Sequence, residues 1–130
     1  MNIRNYEPKD YEELSRLWIQ WGIPNSRQSW VSNDGIIVEN NGSIVCMGFL
    51  FQMGTTKMYW MEGIISDRKI SSELRKSGLD LLVDSLTISA KLQGAEIIMT
   101  STPRSTLKTL FNSKGFNTAP EKYEHLGRLI

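Results

Sequence analysis

Cysteine and histidine are nearly missing from this 130-residue chain, with one of each. A lone Cys46 closes no internal disulfide, and one cysteine with one histidine falls short of a structural zinc site, so no metal is expected. Cys46 lies between Val45 and Met47 in an apolar run, where a thiol packs as a small hydrophobe. His125 sits in the tail beside Glu124 and reads as a surface residue. Long apolar runs are absent too, and none approaches the roughly 20 residues that cross a bilayer. The opening MNIRNYEPKDYEEL carries acidic residues early and no apolar stretch, so no leader is expected and the chain reads as cytoplasmic. Charge of one sign is also scarce: 15 Lys and Arg against 14 Asp and Glu leave +1. No bulk field draws such a protein to nucleic acid or to an anionic membrane. Repeats, low-complexity segments, Walker loops, nucleophile elbows and dinucleotide fingerprints are likewise absent.

What remains is an ordinary globular balance, 40% apolar and 22% charged, at a length suited to a single domain over 1–130. Trp18, Trp21, Trp30 and Trp60 are its largest candidate core residues. Residues 2–6 read as a strand ended by Glu7-Pro8. A helix follows with Asp10 as its cap, Leu14, Leu17, Trp18 and Trp21 on one face, and Gly22 and Pro24 as its stop. Residues 24–34 are polar, with room for a short second helix. Residues 35–39 form a strand, Asn40-Asn41-Gly42 a hairpin turn, residues 43–52 a second strand, and residues 57–65 a third.

The longest helical pattern covers residues 71–92, with Leu74, Gly78, Leu81, Leu82, Leu86, Ile88 and Leu92 along its apolar face. Gln93-Gly94 ends it, and residues 95–100 (AEIIMT) read as a buried strand. Thr102-Pro103 opens a last helix with Leu107, Leu110 and Phe111 inward, closed by Lys114-Gly115-Phe116. Residues 123–130 suit a final strand. An antiparallel meander, then a crossover helix into a parallel strand, argues an α+β domain with three layers around a mixed central sheet.

The order and spacing of four passages resemble the GNAT family of acyl-CoA N-acyltransferases over essentially the whole chain. These are Ile3-Arg4 followed by Pro8-Lys9-Asp10; the meander; Ala90-Lys91-Leu92-Gln93-Gly94 running into Ala95-Glu96-Ile97-Ile98; and Leu110-Phe111-Asn112-Ser113-Lys114-Gly115-Phe116, similar to that family's late FYEKLGF passage. A subset of small phage-encoded GNAT-like proteins shares the short length. The resemblance implies the GNAT fold, acetyl-CoA as cosubstrate, and transfer to a small amine or a protein amino group; the sequence leaves monomer and homodimer both open. It also implies that the fourth and fifth strands splay apart around the cofactor.

Carried residue by residue, it places pantetheine on the backbone of Gly63, Ile64 and Ile65, and pyrophosphate where the long helix begins. The family's glycine-rich loop there is replaced by Lys69-Ile70-Ser71-Ser72-Glu73-Leu74, without glycine. Arg68, Lys69, Ser71 and Ser72 can bind phosphate by charge and hydroxyl, helped by the helix N-terminus. The opposing reading has Asp67 or Ser71 capping the helix and the basic residues solvated. Arg75-Lys76-Ser77-Gly78 matches R-x-x-G but falls late, and Asp80 beside it repels anions, so Gly78 reads as a close-packing residue.

Glu62 stands next to the pantetheine segment and is the candidate base that takes the amine proton, or else a strand residue facing solvent or pairing with Lys57 or Lys91. The family's thiolate-protonating tyrosine is Phe111 here, which leaves Tyr123 or a water. Trp21 or Trp30 is expected to line a pocket at the acceptor side. A second reading is a catalytically inactive GNAT-shaped module, phage-borne and virion-associated, whose partner is a protein.

Overall fold

A computed structural model describes residues 1–24, 27–102, 104–119, 124 and 126–129. Five strands, β1 (Asn2–Asn5), β2 (Gly35–Asn40), β3 (Ser43–Gln52), β4 (Met58–Ser66) and β5 (Ile97–Met99), lie side by side in sequence order. The first four are antiparallel neighbours and β5 joins β4 in parallel. Helix α1 (Tyr11–Gln20) covers one face, while α2 (Ser72–Leu92) and α3 (Ser105–Ser113) cover the other. This is the mixed three-layer sheet expected from the patterning.

Local chemistry explains the meander. Asn41 and Gly42 both take positive φ, 51° and 79°, which is the two-residue turn whose twist matches paired strands. Both faces of the sheet are covered, so β2 and β3 are buried through consecutive positions rather than at alternate ones. Ile36 and Val38 pack toward α2, and Ile37 packs toward α1 with Leu14, Leu17 and Trp18.

Ser71 caps α2 by accepting the Leu74 N–H at 3.3 Å, which matches the capping expectation for that residue. The buried row of α2 is Gly78, Leu82, Val83, Leu86 and Ala90. A Cβ on Gly78 would stand 2.6 Å from Val45 Cγ1, so the helix reaches the sheet because that side chain is missing. Cys46 is buried below it, and burial pushes its thiol up to about 12, leaving an unreactive packing residue.

Several expectations need correction. Ile88 and Leu92 are 57% and 83% exposed; at 100° per residue, Ile88 has turned about 240° away from Leu82. The strand expected over 95–100 has three residues, and Ile97 is 47% exposed; among the described residues β4 is the one strand that pairs with β5. The last helix begins at Ser105 rather than at Thr102, and Pro103 lies outside the described residues. Residues 124 and 126–129 are exposed and form no strand, and the rest of the expected final strand lies outside the description. Trp30 is exposed, with Arg27 over its ring. No described helix is long and apolar enough to cross a membrane.

Asp10 does not cap α1 with its side chain. Its buried carboxylate instead accepts both terminal nitrogens of Arg4 at 2.9 Å and the Glu7 N–H at 2.8 Å. Arg4 also donates to Glu39 at 2.8 Å, so one guanidinium ties β1, β2 and the entry to α1. The hydrogen bonds from Arg4 hold the Asp10 carboxyl below its ordinary value, with burial opposing. The folded state therefore binds fewer protons here than the unfolded chain. The stabilisation is complete above the unfolded value near 4 and is lost as pH falls through the folded value. Asp10→Asn should cost about 1–3 kcal/mol at neutral pH. In urea unfolding curves its gap from the unsubstituted protein should begin to narrow near pH 4 and close as pH falls through the lowered folded value.

Candidate functional site

The site begins with a defect in the ladder between β3 and β4. Met47 pairs with Ile65 and Phe49 with Glu62, so Gly48 faces two residues, Gly63 and Ile64. This is a β-bulge, which bends its strand and re-aims the side chains around it. Gly63 takes φ +69°, and a Cβ there would come within 2.9 Å of the Phe49 ring, so glycine is required on two grounds. Across the bulge the side-chain alternation slips. Met61 and Ile64 both face the α2 side, while Glu62 and Ile65 face the α1 side.

β5 accompanies β4 only from Met58 to Trp60. The Thr100 hydroxyl donates to the Met61 carbonyl at 2.6 Å, and there the pairing stops. Among the described residues β4 continues to Ser66 against β3 alone, while the chain after β5 leaves toward α3. The two strands thus part where the bulge bends one of them. Glu62 stands at the apex, half-buried, and accepts the Ser101 hydroxyl at 3.0 Å. Lys57 pairs with Glu96 at 3.1 Å rather than with Glu62.

Two cavities flank the opening. A cleft of about 990 Å³ runs between the end of β4, the first half of α2 and α3. Its cations are Arg75, Lys76 and Arg104, its hydroxyls include Ser72, Ser77 and Thr106, and Ile64 and Ile65 form its floor. Asp80 lines it as well, but Lys114 holds that carboxylate at 2.7 Å, so Glu73 is the uncompensated acid among the described residues. A smaller cavity of about 220 Å³ contains Glu62, Gly63, Ser101 and Arg104.

The structure therefore brings together Glu62, Gly63, Ile64, Ile65 and Ser72 at the opening. Arg68, Lys69 and Ser71 are placed differently. The Arg68 guanidinium lies 4.6 Å over Trp21 and donates to the Gln20 carbonyl at 3.3 Å. Lys69 is exposed and gives its N–H to Asp67 at 2.9 Å, and the Ser71 hydroxyl serves as the cap. Burial raises the Asp67 carboxyl, but hydrogen bonds from the Lys69 N–H, Gln20 and Arg16 outweigh it and hold the group below its ordinary value. Tyr123 and His125 lie outside the described residues. Phe111 is buried against Phe116, their centroids 5.2 Å apart.

Trp21 lines the cleft, as expected of one of the two tryptophans. Its indole N–H donates to the Ser66 carbonyl at 2.8 Å, and Arg68 and Arg104 stack over its ring at 4.6 and 4.1 Å. Sequence reading assigned no binding role to Arg75, Lys76 or Arg104. At 100° per residue Lys76 points about 160° away from Gly78, so it lines the cleft because α3 lies across that flank of α2, which the sequence does not show. Arg104 carried no signal either.

No protein-family model matches the sequence, and no curated protein matches it. Solved structures do match. A probable acetyltransferase of unknown function from methicillin-resistant Staphylococcus aureus superposes with a TM-score of 0.76 at 12% identity, over 98% of each chain. A Mycobacterium tuberculosis protein solved in complex with CoA gives 0.73 at 13%, covering 94% of this chain and 76% of that one. The ribosomal-protein-S18-alanine N-acetyltransferase of Escherichia coli gives 0.73 at 16%, over 91% and 78%. The fold is that of the GNAT acyl-CoA N-acyltransferases.

Gly63→Ala should destabilise the protein by about 1–3 kcal/mol, combining left-handed strain with the clash on Phe49. Gly54 also has positive φ, +58°, but a Cβ there meets nothing within 4 Å. Gly54→Ala should therefore lose less in the same denaturant titration.

Proposed function

We propose that this protein is an acetyl-CoA-dependent N-acetyltransferase acting on a small amine or a protein amino group. The observation that carries the reading is the opening between β4 and β5, with a strand edge unpaired among the described residues on one wall, a carboxylate at its apex and cations at its mouth. The residues present fit an acyl-CoA. Residues 63–65 offer backbone groups to pantetheine amides, and the cleft of about 990 Å³ has room for the rest of the arm. Ser72, Arg75 and Lys76 face the place where phosphates would lie near the start of α2.

In the reaction, the neutral amine nitrogen attacks the thioester carbonyl, a C–N bond forms, the C–S bond breaks and CoA leaves as thiolate. Glu62, directly or through a water, takes the proton that the amine gives up. A backbone N–H at the bulge polarises the carbonyl as charge develops on its oxygen. Tyr123 or a water returns a proton to the thiolate. The competing reading is a GNAT-shaped binding module without catalysis, favoured by the glycine-free start of α2 and by Phe111 buried where the resemblance would put an acid.

Calorimetric titration with acetyl-CoA, with CoA as control, separates the two. Micromolar binding supports the acyltransferase, and no binding up to millimolar ligand overturns it. With binding established, Glu62→Gln should leave acetyl-CoA affinity intact and lower turnover about 10²- to 10⁴-fold. An unchanged rate would remove Glu62 from the role of base.

A further inference from the structure

The smaller cavity says more about the acceptor than the opening as a whole does. Among the described residues it is lined by one acid, Glu62, and one cation, Arg104; its remaining walls are apolar side chains, glycine and three hydroxyls. Arg104 is half-buried. Its guanidinium lies 4.1 Å from the Trp21 ring and has no ion pair or hydrogen bond among the described residues. Four other arginines are engaged through their guanidinium groups, while Arg27, which lies over Trp30, is exposed and outside this cavity. Arg4 and Arg16 hold carboxylates, and Arg68 and Arg75 donate to main-chain carbonyls. A half-buried cation without a counter-ion carries a desolvation cost that a ligand's anion would offset. With its Cζ held over an indole face and no N–H given to a described residue, the guanidinium keeps its donors for a ligand carboxylate, which such a group receives through two parallel bonds.

We infer that the acceptor is a small amine bearing its own carboxylate, an amino acid in the broad sense, with Arg104 receiving the carboxylate and Glu62 facing the amine. This rests on the acetyl-transfer reading above and narrows it. Polyamines would bring a second positive charge against Arg104, and the cavity of about 220 Å³ is matched to a small molecule. Arg104 also borders the large cleft, but Arg75 and Lys76 already supply cations there.

The test uses the full chain with saturating acetyl-CoA and acceptor pairs that differ only in the carboxylate: L-alanine against L-alaninamide, and β-alanine against β-alaninamide. CoA release should favour the carboxylates on the order of tenfold to a hundredfold in kcat/KM. Arg104→Gln should erase that preference through KM, and Arg104→Lys should restore part of it. Equal use of both members, or no transfer to either while acetyl-CoA binds, overturns the inference and leaves the cofactor reading standing. An Arg104→Gln protein that keeps the preference but loses acetyl-CoA affinity overturns it too, by assigning the cation to the cofactor. If acetyl-CoA does not bind at all, the acetyltransferase reading fails first. Saturation-transfer NMR of L-alanine and L-alaninamide on the cofactor-free protein then decides the subsite alone: carboxylate-selective binding abolished by Arg104→Gln supports it, and no binding overturns it.

Discussion

Gly63 holds a left-handed backbone in the middle of a strand whose neighbours are all extended, and the Phe49 ring occupies the space its side chain would need. That one residue lengthens β4 by a position relative to β3, and the extra position rotates everything beyond it. Without the slip, Ile64 would sit on the same face as Glu62, and Ile65 would face α2. The row across the sheet is built to hold the bulge. Gly35 leaves room for the Phe49 ring, which would lie 2.5 Å from a Cβ there, and Tyr6 stacks edge-on against the same ring at 4.9 Å. Tyr6, Phe49 and Glu62 thus follow one another over one face of the sheet, so packing from β1 to β4 fixes where the carboxylate stands.

Electrostatics organise the rim of the opening in the same economical way. Trp21 reaches from the end of α1 to the Ser66 carbonyl, and the two guanidiniums over its ring come from opposite walls, Arg68 after β4 and Arg104 before α3. Cation–π attraction lets two positive groups share one surface that repels neither. Asp67 gathers Arg16, Gln20 and the Lys69 N–H behind this rim, while Lys114 neutralises Asp80 and bonds Asp84 from the far end of α3. The cleft stays net positive although the whole chain is close to neutral.

The meander, the long helix and the crossover were legible in the sequence because each rests on local rules. An Asn-Gly turn, a serine cap and a glycine after the last helical turn act within a few residues of themselves. Misreadings came where burial depends on neighbours distant in sequence. Ile88 and Leu92 are apolar but face away from the sheet, and the AEIIMT segment shortens to three residues, paired among the described residues with β4 alone. Trp30 is as large as Trp18, yet only Trp18 meets a partner surface.

For the site, the residues of β4 could be named in advance, since Glu62, Gly63, Ile64 and Ile65 adjoin one another in the chain. Their geometry could not, because the bulge is a relation between β4 and β3, visible only once Gly48 is set opposite two residues. The same holds for Arg104, an unremarkable arginine in the sequence. Its meaning arises from meeting Trp21, 83 positions earlier, across an opening that exists only after β4 and β5 part. The sequence alone determined the elements and their order, because those follow from near-neighbour spacing. The tertiary structure alone decided which charges are paired, which face each side chain takes past residue 63, and that the Arg104 guanidinium has no ion pair or hydrogen bond among the described residues, because those depend on distances between segments remote along the chain.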